Sequence, residues 1–219
     1  MCFVSLKTRE ATYNAPLYLY TDKAEIQTDK PNSKTPNFTE SFQKYINDLY
    51  KFRPTPEQIL GYIYAVLYAP SYRTKYYEFL KIDFPRIPFT QDENLFRTLS
   101  DKGTELINLH LLKTDFEKSV VNFPVETPDL KVESVKYKDK KIWINKTAYF
   151  DNVPESVWKY EIGGYQVLDK WLKERKKHGY TLTGNDLRHF MNICNALNET
   201  IKIQNEIDVL LLSLRGSAS

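Results

Sequence analysis

Apolar residues recur every three or four positions along most of this chain, and strand-like runs are few and short. The three-to-four spacing lines one face of a helix, whereas one face of a strand takes every second position, so the contrast sets the fold class. The start, to about Asn37, is irregular: PLYLY (Pro16–Tyr20) suits a short strand, and Pro31 and Pro36 interrupt the polar stretch after it. Phe42, Tyr45, Ile46 and Leu49 then keep helical spacing. Thr55, Pro56 and Gln58 form a capping-box start for a helix through Ile59, Tyr62, Ile63 and Val66. Ala69-Pro70 ends that helix, and Ser71 is placed to cap a short aromatic helix with Tyr72, Tyr76, Phe79 and Leu80. DFPRIP (Asp83–Pro88) must be extended, because each proline drives its predecessor out of the helical region. A long helix follows from about Asp92 to Leu112, through Leu95, Phe96, Leu99, Leu106, Ile107 and Leu109.

The pattern changes after Lys118. Pro124 and Pro128 mark a connector, and VESVKY (Val132–Tyr137) and KIWIN (Lys141–Asn145) flank a Lys-Asp-Lys turn as a β-hairpin. Gly163-Gly164 breaks the chain before a helix through Val167, Leu168, Trp171 and Leu172. Thr183, with Asp186 three residues on, starts a final long helix whose stripe is Leu187, Phe190, Cys194, Leu197, Ile201 and Ile207. The expectation is an α+β chain: a mainly helical scaffold over 1–118, then a basic part over 119–219 with a small β-hairpin, closed by a long C-terminal helix.

Composition excludes several classes. With 219 residues and Phe 12, Tyr 16 and Trp 3, the chain has ample surface to bury, which argues against disorder. Mean hydropathy of -0.52 and the lack of an apolar run near ~18 residues argue against a membrane span. No basic region precedes an apolar stretch at the N-terminus, so no signal peptide is read. Cys2 and Cys194 cannot build a disulfide framework, which suits a reducing cytoplasm.

Catalytic signatures are missing. Only seven glycines are present, with no GxxxxGK[ST] and no GxGxxG to hold a phosphate. NAPLY (Asn14–Tyr18) falls short of the [DNS]PP[YFW] tetrapeptide of amino-group methyltransferases. His110, His178 and His189 have no metal-ligand spacing, and His110 reads as a core or boundary histidine. PDLKVESVK (Pro128–Lys136) imitates a nuclease core in which Asp129 and Glu133 would hold magnesium. Its lysine comes one residue late, which turns Lys136 to the opposite face of a strand from Glu133. Cys194 lies in an apolar stripe and reads as structural. No catalytic residue and no metal ligand is therefore assigned.

Charge is unevenly spread. Residues 131–178 hold 12 Lys+Arg against 7 Asp+Glu, a net of +5, while the flanks on either side are each -1. An anionic partner is drawn to such a segment, although a solvated lysine-rich surface has the same composition. Basic residues alternate here with aromatics and amides, the types that neutralise phosphates and pair with base edges. Lys138, Lys140, Lys141, Lys146, Lys173, Arg175, Lys176 and Lys177 are the candidate phosphate contacts. Asn145, Thr147, Tyr149, Gly163, Gly164, Tyr165 and Gln166 are the candidates for the groove, with Asn145 and Gln166 as base readers. Trp143 and Trp171 are expected to pack in one layer beneath them. Arg73, Lys75, Lys81 and Arg86 could add phosphate contacts from the helical part, or serve it structurally.

Five ordered blocks then resemble one family: Pro56–Pro88, Glu105–Leu112, Ile144–Phe150, Val153–Lys176 and Asp186–Phe190. They are similar to the C-terminal specificity region of type ISP single-chain restriction-modification enzymes and their relatives, over roughly Asn14 to Asp208. The resemblance implies a domain that recognises a double-stranded DNA sequence for an adenine-N6 DNA methyltransferase. It implies that S-adenosylmethionine and the catalytic tetrapeptide belong to an upstream methyltransferase domain or subunit, with no cofactor in this chain, and that Met1 is a cut point or the start of a separate subunit. Blocks that maintain a family tend to be scaffold, so base readers could instead occupy Lys113–Asp129 or His178–Asn185. Two other classes stay open at this stage. One is an interaction module that docks methyltransferase or translocase domains through residues 56–82 without reading bases; the other is a free-standing nuclease using Asp129 and Glu133.

Overall fold

A computed structural model describes residues 15–20, 34–126 and 129–216, with side chains as far as residue 212. Cys2, Pro31 and Pro128 lie outside the described residues. Strands β1 (Tyr18–Tyr20) and β2 (Lys34–Pro36) pair antiparallel, Tyr18 opposite Pro36. The Tyr18 hydroxyl donates to the Glu57 carboxylate at 2.6 Å, which ties this ribbon to the helices. Helix α1 (Glu40–Leu49) is capped by Thr39, and α2 (Pro56–Tyr68) begins with both halves of the Thr55–Gln58 capping box. Helix α4 (Glu93–His110) starts at Asp92, whose carboxylate accepts from the Asn94 and Leu95 amides.

Between α2 and α4 the expected aromatic helix is displaced. Helix α3 (Pro70–Lys75) takes Pro70 as its first residue, so Ser71 is inside the helix rather than its cap. The Ser71 hydroxyl donates to Asp208 at 2.7 Å and its amide donates to the same carboxylate, a contact with the far end of the chain. Phe79 and Leu80 fall beyond α3 in a separate 3-10 turn, Phe79–Lys81.

Helices α2 and α4 touch through backbone. A Cβ placed on Gly103 would lie 1.7 Å from the Gly61 carbonyl oxygen, and one on Gly61 would lie 2.3 Å from the Ser100 carbonyl oxygen. Only two facing glycines allow this approach, and it lets Tyr62 stack on Phe96 at 5.0 Å.

The second half is a three-stranded antiparallel sheet in the order β3-β4-β5, formed by β3 (Lys136–Lys138), β4 (Lys141–Trp143) and β5 (Tyr149–Phe150). Helix α5 (Glu155–Trp158), a second hairpin of β6 (Glu161–Ile162) and β7 (Tyr165–Gln166), and α6 (Val167–Lys177) follow. The strand expected from Val132 begins only at Lys136. The Glu133 and Ser134 amides both donate to the Ile144 carbonyl, and the Val132 amide donates to Tyr180, so the regular ladder is broken there.

Helix α7 (Gly184–Gly216) starts as expected: Thr183 and Asp186 exchange side-chain and backbone bonds in a capping box. It then runs through both cores. Phe190, Cys194 and Leu197 join the sheet, α5 and α6, whereas Ala196, Ile203 and Ile207 join α1, α2, α3 and α4. His110 also ties α4 to α2 and α7, with Nδ1 2.7 Å from the Tyr64 hydroxyl and Nε2 3.2 Å from the Thr200 hydroxyl. Burial pushes this imidazole down to about 4, so at neutral pH it is an uncharged core residue. Cys194 is buried, and burial pushes its thiol up, away from nucleophilic character. The architecture is the α+β class expected from the sequence. No helix among the described residues is long and apolar enough to cross a membrane.

Candidate nucleic-acid interface

The β3–β4 turn is Asp139-Lys140, both residues with positive φ (52° and 59°). That is the twist a two-residue hairpin requires, supplied here without glycine. Strand alternation buries Ile142 and turns Lys136 and Lys138 outward. The hairpin is fixed from beneath: Tyr137 stacks on Trp158 at 5.3 Å and donates to the Val153 carbonyl, and the Val153 amide donates to Lys140. The tryptophans take different partners rather than a common layer, Trp143 on Tyr149 at 4.5 Å and Trp171 on Phe190 at 5.0 Å.

The eight basic candidates separate by environment. Lys140, Lys146, Lys176 and Lys177 are exposed and make no ion pair among the described residues. Lys138 is exposed beside Asp139 at 4.0 Å, and Lys173 holds Asp169 at 2.7 Å. Lys141 is half-buried, 4.0 Å from Asp151 and over the Tyr149 ring. Arg175 is a different kind of residue. Its guanidinium carbon sits 3.1 Å from the Trp171 ring centre, its Nη1 donates to the Trp171 carbonyl, and its Nη2 is 3.9 Å from Asp186. It joins α6 to the start of α7, and its guanidinium is already engaged by the fold.

Asn145 is likewise held by the fold. The side chain is 6% exposed. Its Nδ2 donates to the carbonyls of Asp129 (2.6 Å) and Lys131 (3.1 Å). Its Oδ1 accepts from the amides of Thr147 (2.9 Å) and Ala148 (2.8 Å). Two donors and one acceptor oxygen are thus committed within the fold, and nothing is left for a base edge. Asn145→Ala should lower stability by about 2–3 kcal/mol in urea unfolding, because it strands buried backbone groups. Relative affinity among duplex sequences should not change in a competition binding assay.

The remaining groove candidates fall in two places, in and just before β5 and on the second hairpin. Thr147 is exposed and Tyr149 is half-buried between Trp143 and Lys141. Gly163 and Gly164 form the β6–β7 turn with φ of +60° and +79°, and a Cβ on either would meet nothing within 4 Å. Their requirement is conformational. Tyr165 is exposed with the Lys170 ammonium 4.2 Å over its ring, and half-buried Gln166 pairs with Glu161. Ile162, which the sequence reading does not single out, lies directly across the ladder from Tyr165 and is exposed. The signal was present: a Gly-Gly pair between two larger residues marks a hairpin.

The alternative reader segments are partly tied down. Asn195 of α7 accepts from the Val120 amide, Asn122 bridges to Asp151, and Lys131 bridges to Thr181. In the helical half, Lys81 pairs with Glu78 at 3.1 Å, and Arg73, Lys75 and Arg86 are exposed. Among the described residues no group of three or more His, Cys, Asp or Glu is placed to hold a metal ion.

A family model described as the Type ISP C-terminal specificity domain matches residues 1–206. No curated protein matches the chain. Three solved structures share the fold. The cryo-electron microscopy complex of DrdV with DNA superposes with a TM-score of 0.66 at 22% identity, over 89% of this chain and 21% of that one. The ATP-dependent Type ISP restriction-modification enzyme LlaBIII bound to DNA gives 0.62 at 19% identity, over 90% and 13%. A nuclease-deletion mutant of the Type ISP enzyme LlaGI with a DNA substrate mimic gives 0.55 at 20% identity, over 79% and 14%. The chain thus spans between 13% and 21% of the length of these proteins.

Proposed function

Because this chain belongs to the Type ISP C-terminal specificity domains, we propose that it reads a sequence in double-stranded DNA for an adenine-N6 methyltransferase of a restriction-modification system. The observation that carries this is the family match across residues 1–206. Three proteins of the same fold were solved with DNA or a DNA mimic, which supports the same partner here. Residues 1–118 serve as the scaffold and 119–219 present the DNA surface. Exposed lysines of the β3–β4 hairpin, Lys146 and the end of α6 neutralise phosphates, while Thr147, Tyr149 and the β6–β7 hairpin face a groove. S-adenosylmethionine and the methyl-transfer chemistry belong to a methyltransferase domain elsewhere in the same protein or complex, and the cytoplasm is where such a protein meets its DNA. Docking without base readout is not favoured, since a specificity domain is defined by what it distinguishes.

Fluorescence-anisotropy titration of labelled duplexes between roughly 50 and 200 mM salt tests the proposal. Affinity should fall steeply with salt, and selection from a randomised duplex pool should enrich one asymmetric sequence. Salt-independent binding, or a pool that stays random, defeats it.

A further inference from the structure

Ile162 and Tyr165 flank the Gly163-Gly164 turn as a directly opposed cross-strand pair, so both side chains stand on one face of the β6–β7 ribbon. They are 47% and 50% exposed. An exposed isoleucine or tyrosine alone calls for no explanation. Here two are paired at the end of a ribbon of two residues per strand, beside a turn that carries no side chains. Such a short hairpin is marginal in water without packing. This one is held at its base instead. The Val167 amide donates to the Tyr160 carbonyl, and Leu168, one residue further on, is fully buried. The base is anchored and the apolar pair projects.

We propose that Ile162 and Tyr165 form a wedge that enters the DNA base stack and holds one step of the duplex unstacked. The inference rests on the DNA-recognition reading above and adds a mechanical role to it. Apolar side chains inserted at a base step are a known way to kink and open a duplex, and the gap made is filled by the inserted group. The Gly-Gly end presents no Cβ to collide with the groove walls, because both positions open onto space. Lys170, with its ammonium 4.2 Å over one face of the Tyr165 ring, supplies charge for the phosphates beside the opened step. The opposite face of the ring is then the one offered to a base. Charge selects this occupant over an apolar protein surface: the hairpin leads directly into α6, which carries Lys170, Lys173, Lys176 and Lys177.

The test compares two labelled duplexes of one sequence, fully paired or carrying a single central abasic site, by anisotropy at several salt concentrations. Part of the unstacking cost is already met at the abasic site, so the native chain should bind that duplex about tenfold more tightly, a fraction of what unstacking a step costs. Tyr165→Ala and Ile162→Ala should reduce the preference to nearly one. Tyr165→Phe, which keeps the ring, should retain it. The Lys176→Ala, Lys177→Ala pair should weaken both duplexes equally and keep the preference. Circular-dichroism melts confirm that the variants fold. Equal, salt-dependent binding of the two duplexes by the native chain, or a preference that survives Tyr165→Ala, overturns the wedge while leaving DNA recognition intact. Failure of the native chain to bind either duplex in a salt-dependent way overturns the DNA reading itself.

Discussion

Gly103→Ala should lower the melting temperature by roughly 6–12 °C, the shift that a loss of about 3 kcal/mol produces in a chain of this size. Alanine is the better helix former by about 1 kcal/mol, so helix propensity alone predicts the opposite sign. Packing decides the outcome. The new methyl group would meet the Gly61 carbonyl oxygen at 1.7 Å and the Ala65 amide nitrogen at 2.9 Å. These are backbone atoms of α2 and cannot turn aside as a side chain would, so the helices must separate. Separation loosens Tyr62 against Phe96 and the buried layer of Ala65, Val66, Leu99 and Leu106. Overpacking of a close-packed core costs about 1–3 kcal/mol even where side chains can yield. Gly184→Ala is the internal control, since nothing lies within 4 Å of a Cβ there and its φ is not in the left-handed region. It should melt with the native chain. A Gly103→Ala melt within roughly 2 °C of native would mean that the two helices do not approach through backbone.

That crossing also marks the limit of what the sequence discloses. Helix starts were legible because their determinants are local: Thr55 with Gln58, and Thr183 with Asp186, satisfy their own first-turn amides. Helix α3 starts two residues before the sequence suggests, with Ala69 rather than Ser71 as its cap, because Pro70 suits the first helical position and the Ser71 hydroxyl bonds to Asp208, 137 residues away. Strands β5, β6 and β7 have two residues each, too few for alternation to register. Gly61 and Gly103 carry no local signal, since their role arises only when two helices meet. At the surface, the basic segment was visible as charge, but which lysines stay free was not. Arg175 and Asn145 have the residue types for binding DNA, and tertiary contacts bind them into the fold.

Replacing Lys140, Lys146, Lys176 and Lys177 together with alanine should have the largest effect on binding. Each phosphate contact contributes about 0.9 to the slope of log affinity against log salt, so four lost contacts lower that slope by between about 3 and 4. Extrapolated to ~0.1 M salt, this is a loss on the order of a thousandfold, shared by all duplex sequences because phosphates carry no sequence information. The choice of residues follows from their surroundings. Lys173 at 2.7 Å from Asp169 and Lys141 at 4.0 Å from Asp151 must leave a carboxylate to reach a phosphate, and this offsets part of what they contribute. Among the described residues the four chosen lysines leave no such partner behind. Their removal should leave the melting temperature unchanged, since exposed, unpaired lysines add little to stability. Arg175→Ala should do the reverse, lowering the melting temperature through the lost stack on Trp171 while the salt slope stays near native. An unchanged slope in the quadruple variant would place the duplex on another face, with Arg73, Lys75 and Arg86 of the helical half next to be tested.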